Sequence, residues 1–179
     1  MFNLSLKKNL FVYDIECDGL LAEATKIHCL SICWKDKNGQ IQTKSTTDYD
    51  EMRKFFSNKG ITRVGHYITL YDERVVAKLL GIDTLQSNDQ IIDTTALSWF
   101  LYPERNKHGL EEWGIDLGIH KIEIKDWKNQ SIQDYILRCE TDTRINFKLW
   151  ENCLNLLYQI YDNNEDEIIR FIQYLQFKL

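Results

Sequence analysis

Proline is almost missing from this chain: Pro103 is the only one among 179 residues. Internal repeats and low-complexity segments are missing too, and the polar tract Asp162 to Glu167 is the only candidate linker. A single domain with room for a real core is the expectation. No run of eighteen apolar residues occurs, and the N-terminus alternates polar with apolar side chains. That pattern speaks against a membrane span or a secretory signal. The five cysteines (Cys17, Cys29, Cys33, Cys139 and Cys153) form no CxxC pair. Cys29 and Cys33 are poorly spaced as metal ligands, so reduced thiols in a cytoplasmic protein are expected. There is no basic surplus, since 22 Lys and Arg stand against 27 Asp and Glu for a formal charge of -5. This argues against a large nonspecific duplex binder, which neutralises many phosphates. It does not exclude nucleic acid, because single strands are also gripped by stacking and bound cations offset carboxylates. No Walker motif, dinucleotide fingerprint or Ser-His-Asp arrangement is visible.

The hydrophobic pattern opens with period two. Leu10 to Ile15 reads as a central strand, Ile27 to Trp34 as a second and Ile41 to Thr46 as a third, with a polar turn at 35–39. Short loops between them predict an antiparallel meander. The period then changes. Asp48 caps a helix to Phe56, Ile61 to His66 is a short strand, and Tyr71 to Leu80 is a helix stopped by Gly81. Leu85 to Ile92 reads as loop or weak strand, Thr94 to Leu101 as a helix ending before Pro103, and Gly109 to Leu117 as a helix ended by Gly118. Ser131 caps an apolar stripe through Ile132, Cys139, Ile145, Leu149, Cys153 and Leu157, as one long helix or two with a bend. A last helix spans Glu165 to Phe177. The sum is a mixed sheet with helices packed on it.

Asp14 and Glu16 stand out within Phe11-Val12-Tyr13-Asp14-Ile15-Glu16-Cys17-Asp18-Gly19-Leu20. Residues i and i+2 of a strand face the same side. Two carboxylates pointing together from a buried strand are costly unless a cation lies between them. The alternative is a strand end emerging into solvent. Three later acids join the candidates. Asp72 follows Tyr71, Asp93 precedes Thr94 and can simply cap a helix, and Asp142 sits on the long helix. Tyr135, Arg138 and Asp142, at i, i+3 and i+7, share a helix face. Lys107 and His108, before the helix that begins near Leu110, are weak candidates for phosphate.

In these segments the chain resembles the DEDD superfamily of 3′–5′ exonucleases, nearest the proofreading domain of bacterial and phage family A DNA polymerases. Asp14, Glu16 and Gly19-Leu20 match the first motif; Gly65-His66 and Tyr71-Asp72 match the second; Cys139 and Asp142 match the third. Asp93-Thr94 and His108-Gly109-Leu110-Glu111-Glu112-Trp113-Gly114-Ile115-Asp116-Leu117-Gly118 resemble segments between them. The likeness runs from about Leu10 to Leu149. It implies a ribonuclease H-like α/β fold, with an exonuclease-like domain over 1–160 and a C-terminal helical extension over 161–179.

The resemblance further implies two Mg²⁺ or Mn²⁺ ions held by Asp14, Glu16, Asp72 and Asp142, hard oxygen ligands suited to such ions. Leu20, His66, Tyr67 and Tyr71 are expected to line the terminal nucleotide, with His66 otherwise a packed structural residue. DNA with a free 3′ end is the implied substrate, releasing nucleoside monophosphates, with RNA still open. A separately encoded DNA polymerase is a plausible partner and phage replication a plausible setting.

Two positions depart from the pattern: Tyr67 replaces the usual Asn, and Arg138 stands where the water-orienting tyrosine is expected. The histidine subclass is not matched either, because that position is Leu137. An arginine donates hydrogen bonds and neutralises phosphate but cannot accept a proton. Three outcomes are therefore open: Tyr135 supplies the missing hydroxyl, Arg138 clamps phosphate while the metals activate water, or the site is impaired or Arg138 points away. A nucleic-acid-binding or regulatory module with a weakened nuclease centre is the alternative function.

Overall fold

A computed structural model describes residues 6–85, 90–124 and 129–176. Its sheet has five strands in the order β3-β2-β1-β4-β5: β1 (Leu10–Cys17), β2 (Ile27–Lys35), β3 (Ile41–Thr46), β4 (Thr62–Gly65) and β5 (Gln90–Asp93). β1, β2 and β3 form the expected antiparallel meander, whereas β4 and β5 add in parallel beside β1. The mixed sheet and its flanking helices make this a ribonuclease H-like α/β fold.

β1 runs two residues beyond Ile15, because Glu16 pairs with Cys29 and Cys17 with Ile27 across a register shift. Asp14 and Glu16 are thus inside the strand, not at its emerging end. Leu85 to Ile92, a loop or weak strand by its local pattern, runs into β5 (Gln90–Asp93), whose parallel ladder to β4 supplies what that pattern does not; residues 86–89 lie outside the described residues.

The helices follow their capping signals. α1 (Tyr49–Phe56) starts on Asp48, whose carboxylate accepts from Asp50 N and Glu51 N. α2 (Asp72–Leu80) ends at Gly81 and α4 (Leu110–Leu117) at Gly118, both left-handed at φ of 72° and 69°. α3 (Thr94–Leu101) is capped by Asp93. α5 (Ile132–Ile160) is one unbroken helix of 29 residues, opened by a Ser131–Asp134 capping box. α6 (Glu165–Gln176) closes the described chain; the predicted end at Phe177 lies outside it. No helix among the described residues is long and apolar enough to cross a membrane.

Alternation along β1 sorts the core into two layers. Leu10 and Val12 face α3 to α6 with Ile145, Leu149, Cys153, Leu157, Ile168 and Ile172. Tyr13, Ile15 and Cys17 face α1 and α2 with Met52, Phe56, Val75 and Val76. Each fully buried aliphatic side chain contributes about 1.5–3 kcal/mol, so α5 is fixed mainly by its apolar stripe. All five cysteines are buried and free.

The second layer also encloses a polar network. Arg63 and Glu73, both wholly buried, pair at 3.4 Å. Tyr13 Oη donates to Glu73 at 2.6 Å, and the Thr84 hydroxyl donates to its other oxygen. These bonds hold the first turn of α2 against β1, which sets the position of the neighbouring Asp72.

Candidate metal centre

Asp14 and Glu16 project from the β1 face that α5 covers. α5 is locked to that face by Cys139, whose Sγ donates to the Asp14 carbonyl at 3.1 Å. Asp142, three residues later, is thereby brought over the strand. One oxygen from each of Asp14, Glu16 and Asp142 lies within 4.8 Å of the others. Two acids paired by strand period two and one from a helix turn thus meet.

Asp72 stands beside this trio. The ladder between β1 and β4 ends at Val12–Val64, and, three residues on, the Ile15 amide, still within β1, donates to Asp72 Oδ1 at 3.3 Å. Asp72 also occupies the first turn of α2, where the helix dipole favours a negative charge.

The electrostatics are strained. Burial, then the charges of Asp72, Asp142 and Glu16, raises the Asp14 carboxyl well above the ordinary range. Burial, then Glu73, does the same to Asp72. Glu16 is pushed up to about 7 by burial, with Arg138 opposing. Carboxyls crowded in this way hold protons unless a cation joins them.

Two side chains already supply positive charge. Arg138 Nε donates to Glu16 Oε1 at 2.9 Å, and its Nη1 donates to the Ile122 carbonyl. Lys121 Nζ pairs with Asp142 Oδ2 at 2.6 Å. Both cations also line a cavity of about 310 Å³ with Glu111, His120 and Glu123. Lys121 carried no recognisable signal in the sequence. It arrives there because the Gly118 turn returns the chain onto α4, where Ile119 N donates to Gly114 O at 2.8 Å. Gly114 permits this approach: an added Cβ would collide with the Ile119 carbonyl and lie 2.9 Å from Ile145.

The donor set fits a hard divalent cation. It is all carboxylate, and Asp142 Oδ1 is buried with no hydrogen-bond partner among the described residues. A buried orphan acceptor is costly in a finished fold and natural for a metal ligand.

The remaining candidates separate. Tyr135 is buried, its ring stacked on His28 at 4.1 Å and packed near Cys29 and Cys139. Its ring is therefore committed to packing, two turns from Asp142. His66 Nδ1 lies 2.9 Å from the Thr94 hydroxyl, and burial lowers its pKa to about 4, so the ring is neutral. Tyr71 Oη donates to Gly19 O at 2.6 Å, tying the loop after β1 to α2. Leu20 and Tyr67 are exposed, and Tyr67 adopts a left-handed φ of 64°. Asp93 is buried and satisfied: Tyr67 N and Thr95 N donate to Oδ1, each at 2.9 Å, and the Thr69 hydroxyl donates to Oδ2. It is a cap and a loop staple, as its position before Thr94 suggested. Lys107 instead pairs with Glu112 at 2.8 Å, and His108 is buried beside the Ser98 hydroxyl at 2.7 Å.

No protein family's sequence profile matches the chain, and no curated protein sequence does. Solved structures do. Brucella melitensis NrnC with bound Mg²⁺ matches at a TM-score of 0.62 and 17% identity, covering 98% of this chain and 86% of that one. The same protein bound to pGG matches at 0.64 and 17% identity, over 98% and 85%. Exonuclease I of E. coli in complex with a dT13 oligonucleotide matches at 0.60 and 10% identity, over 86% of this chain and 42% of that one. At such identities the likeness is one of fold alone.

Proposed function

We propose that the protein is a divalent-metal-dependent 3′–5′ exonuclease that hydrolyses terminal phosphodiester bonds of single-stranded or frayed DNA. The observation that carries this reading is the convergence of Asp14, Glu16 and Asp142, with one oxygen of Asp142 buried and unpartnered. The similar folds of a Mg²⁺-bound protein and of an exonuclease holding an oligonucleotide support it.

Asp14, Glu16 and Asp142 would hold the metal, with Asp72 beside them. When bound, such an ion lowers the pKa of the attacking water and offsets charge on the phosphate. The water oxygen forms the new bond to phosphorus, the bond to the 3′ oxygen breaks, and that oxygen takes up a proton. A nucleoside 5′-monophosphate leaves. Arg138 remains protonated, so its part is to donate to phosphate oxygen and balance charge, not to act as base. The exposed Leu20 and Tyr67 present apolar and aromatic surface for a terminal base, which needs little sequence preference.

The Arg138–Glu16 pair also favours a second reading, in which a guanidinium engaging a ligand leaves a nucleic-acid-binding module with a weakened nuclease centre. Incubation of 5′-labelled single-stranded DNA and RNA with Mg²⁺, Mn²⁺ or EDTA separates the two. Metal-dependent laddering from the 3′ end of DNA is the expected result. Tight binding without cleavage would favour the module, and cleavage confined to RNA would correct the substrate.

A further inference from the structure

The ion pairs at the site bear on how many metal ions it takes. The likeness to two-metal nucleases leads to an expectation of two. We infer instead that this chain takes one divalent ion, with the Arg138 guanidinium and the Lys121 ammonium replacing the charge of a second. The inference rests on the metal-centre reading above but not on nuclease turnover.

Three observations converge. The first is charge: Asp14, Glu16, Asp72 and Asp142 supply four potential negative charges, and Arg138 and Lys121 return two fixed positive ones. Among these six groups one divalent ion completes the balance, and a second would need further negative charge from outside them. The second is ligand supply. Among the described residues a single group of acids is arranged to hold an ion, and Asp72 lies outside it, engaged by the Ile15 amide. The third is occupancy of lone pairs. Glu16 Oε1 is taken by Arg138 and Asp142 Oδ2 by Lys121, while Asp142 Oδ1 has no partner. Two oxygens of the trio are thus already committed to cations, and an open one remains on Asp142.

The two cations are not incidental surface groups. Both pairs are largely sheltered, with side-chain exposures of 14% and 11% for Arg138 and Glu16 and 24% and 5% for Lys121 and Asp142. Arg138 is further oriented by the Ile122 carbonyl, and Lys121 is delivered by the turn packed on Gly114. A planar guanidinium fixed in this way keeps a positive charge beside the carboxylates, the charge role that a second ion performs elsewhere.

Mn²⁺ stoichiometry, measured by equilibrium dialysis and by electron paramagnetic resonance with and without dTMP, tests this. The wild-type chain should bind one Mn²⁺ in both conditions, with the spectrum of an isolated ion. The double variant Lys121→Met, Arg138→Tyr should bind two in the presence of dTMP and show exchange coupling, as ions about 3.5–4 Å apart do. Arg138→Lys, which keeps the charge, should still bind one and guards against misfolding of the double variant. Two coupled ions in the wild type, or one ion still in the folded double variant, would overturn the inference. Binding of no Mn²⁺ at all would overturn it together with the metal-centre reading. One bound ion without DNA cleavage would uphold it and sink only the nuclease activity.

Discussion

Arg138 Nε donates to Glu16 Oε1 at 2.9 Å, joining residues 122 positions apart in the chain. The bond ties α5 to β1 through two mostly sheltered charges, and each partner depends on the other for its solvation. Arg138→Ala strands Glu16 in a poorly solvated position, and the carboxyl responds by taking up a proton at neutral pH. In EDTA this should cost about 1–3 kcal/mol in urea unfolding. Arg138→Lys should recover part of it. No measurable loss from the alanine variant would reduce the pair to a contact without energetic weight.

The pH dependence of stability has a defined sign. Glu16 carries a folded pKa of about 7 against an ordinary 4.5. Between those values the folded state binds more protons than the unfolded one, so metal-free stability must fall as pH rises through 7. Asp14 and Asp72 are raised as well and push the same way. Asp18, lowered to about 2 mainly by the Thr25 hydroxyl, acts only below its ordinary carboxylate range and does not enter this window. Thermal melts at pH 5.5 and 8 in EDTA should show the drop, and Mn²⁺ should lessen it. A rise with pH in EDTA would contradict the crowding of these carboxyls.

Asp14→Asn should separate stability from function. It removes a charge whose burial and like-charged neighbours oppose ionisation, so the metal-free protein should gain about 1–2 kcal/mol. The same change should weaken Mn²⁺ binding and reduce any exonuclease rate by about 10²-fold or more. A variant that is less stable in EDTA would show that Asp14 is held by stabilising bonds not yet identified.

Tyr135 offers a cleaner kinetic question. Its ring stacks on His28, and that packing survives in Tyr135→Phe. The rate on single-stranded DNA should change by less than about threefold, well below the contribution of a proton-handling group. Tyr135→Ala should instead cost about 3–5 kcal/mol as a large-to-small core change. A hundredfold slower Tyr135→Phe enzyme would return the water-orienting role to this hydroxyl.

Much of this was legible in the sequence where the signals are local. Asp48, Asp93, Gly81, Gly118 and Ser131 mark helix ends because caps act within a few residues. The Asp14–Glu16 pairing follows from strand alternation alone. β5 was faint because a four-residue strand takes its stability from the β4 ladder, which no window along the chain contains. Helix periodicity puts Tyr135 and Asp142 on one face, but seven residues are roughly 10 Å along the axis. Sharing a face does not by itself place two side chains in one site. Lys121 was invisible for a different reason: its position depends on the Gly114–Ile119 contact and on where α5 docks, and neither leaves a mark on a lone lysine.

The unbroken run of α5 also sets what kind of sequence change the protein tolerates. Arg138, Cys139, Asp142 and Asn146 meet the sheet side, and Trp150 and Cys153 are sunk in the core further along the same rod. Adding one residue anywhere between them would turn one end relative to the other by about 100°. Either the carboxylate or the apolar stripe would then face away. Over this span descendants of the gene can trade side chains but not length, so insertions and deletions should collect in the connecting segments instead.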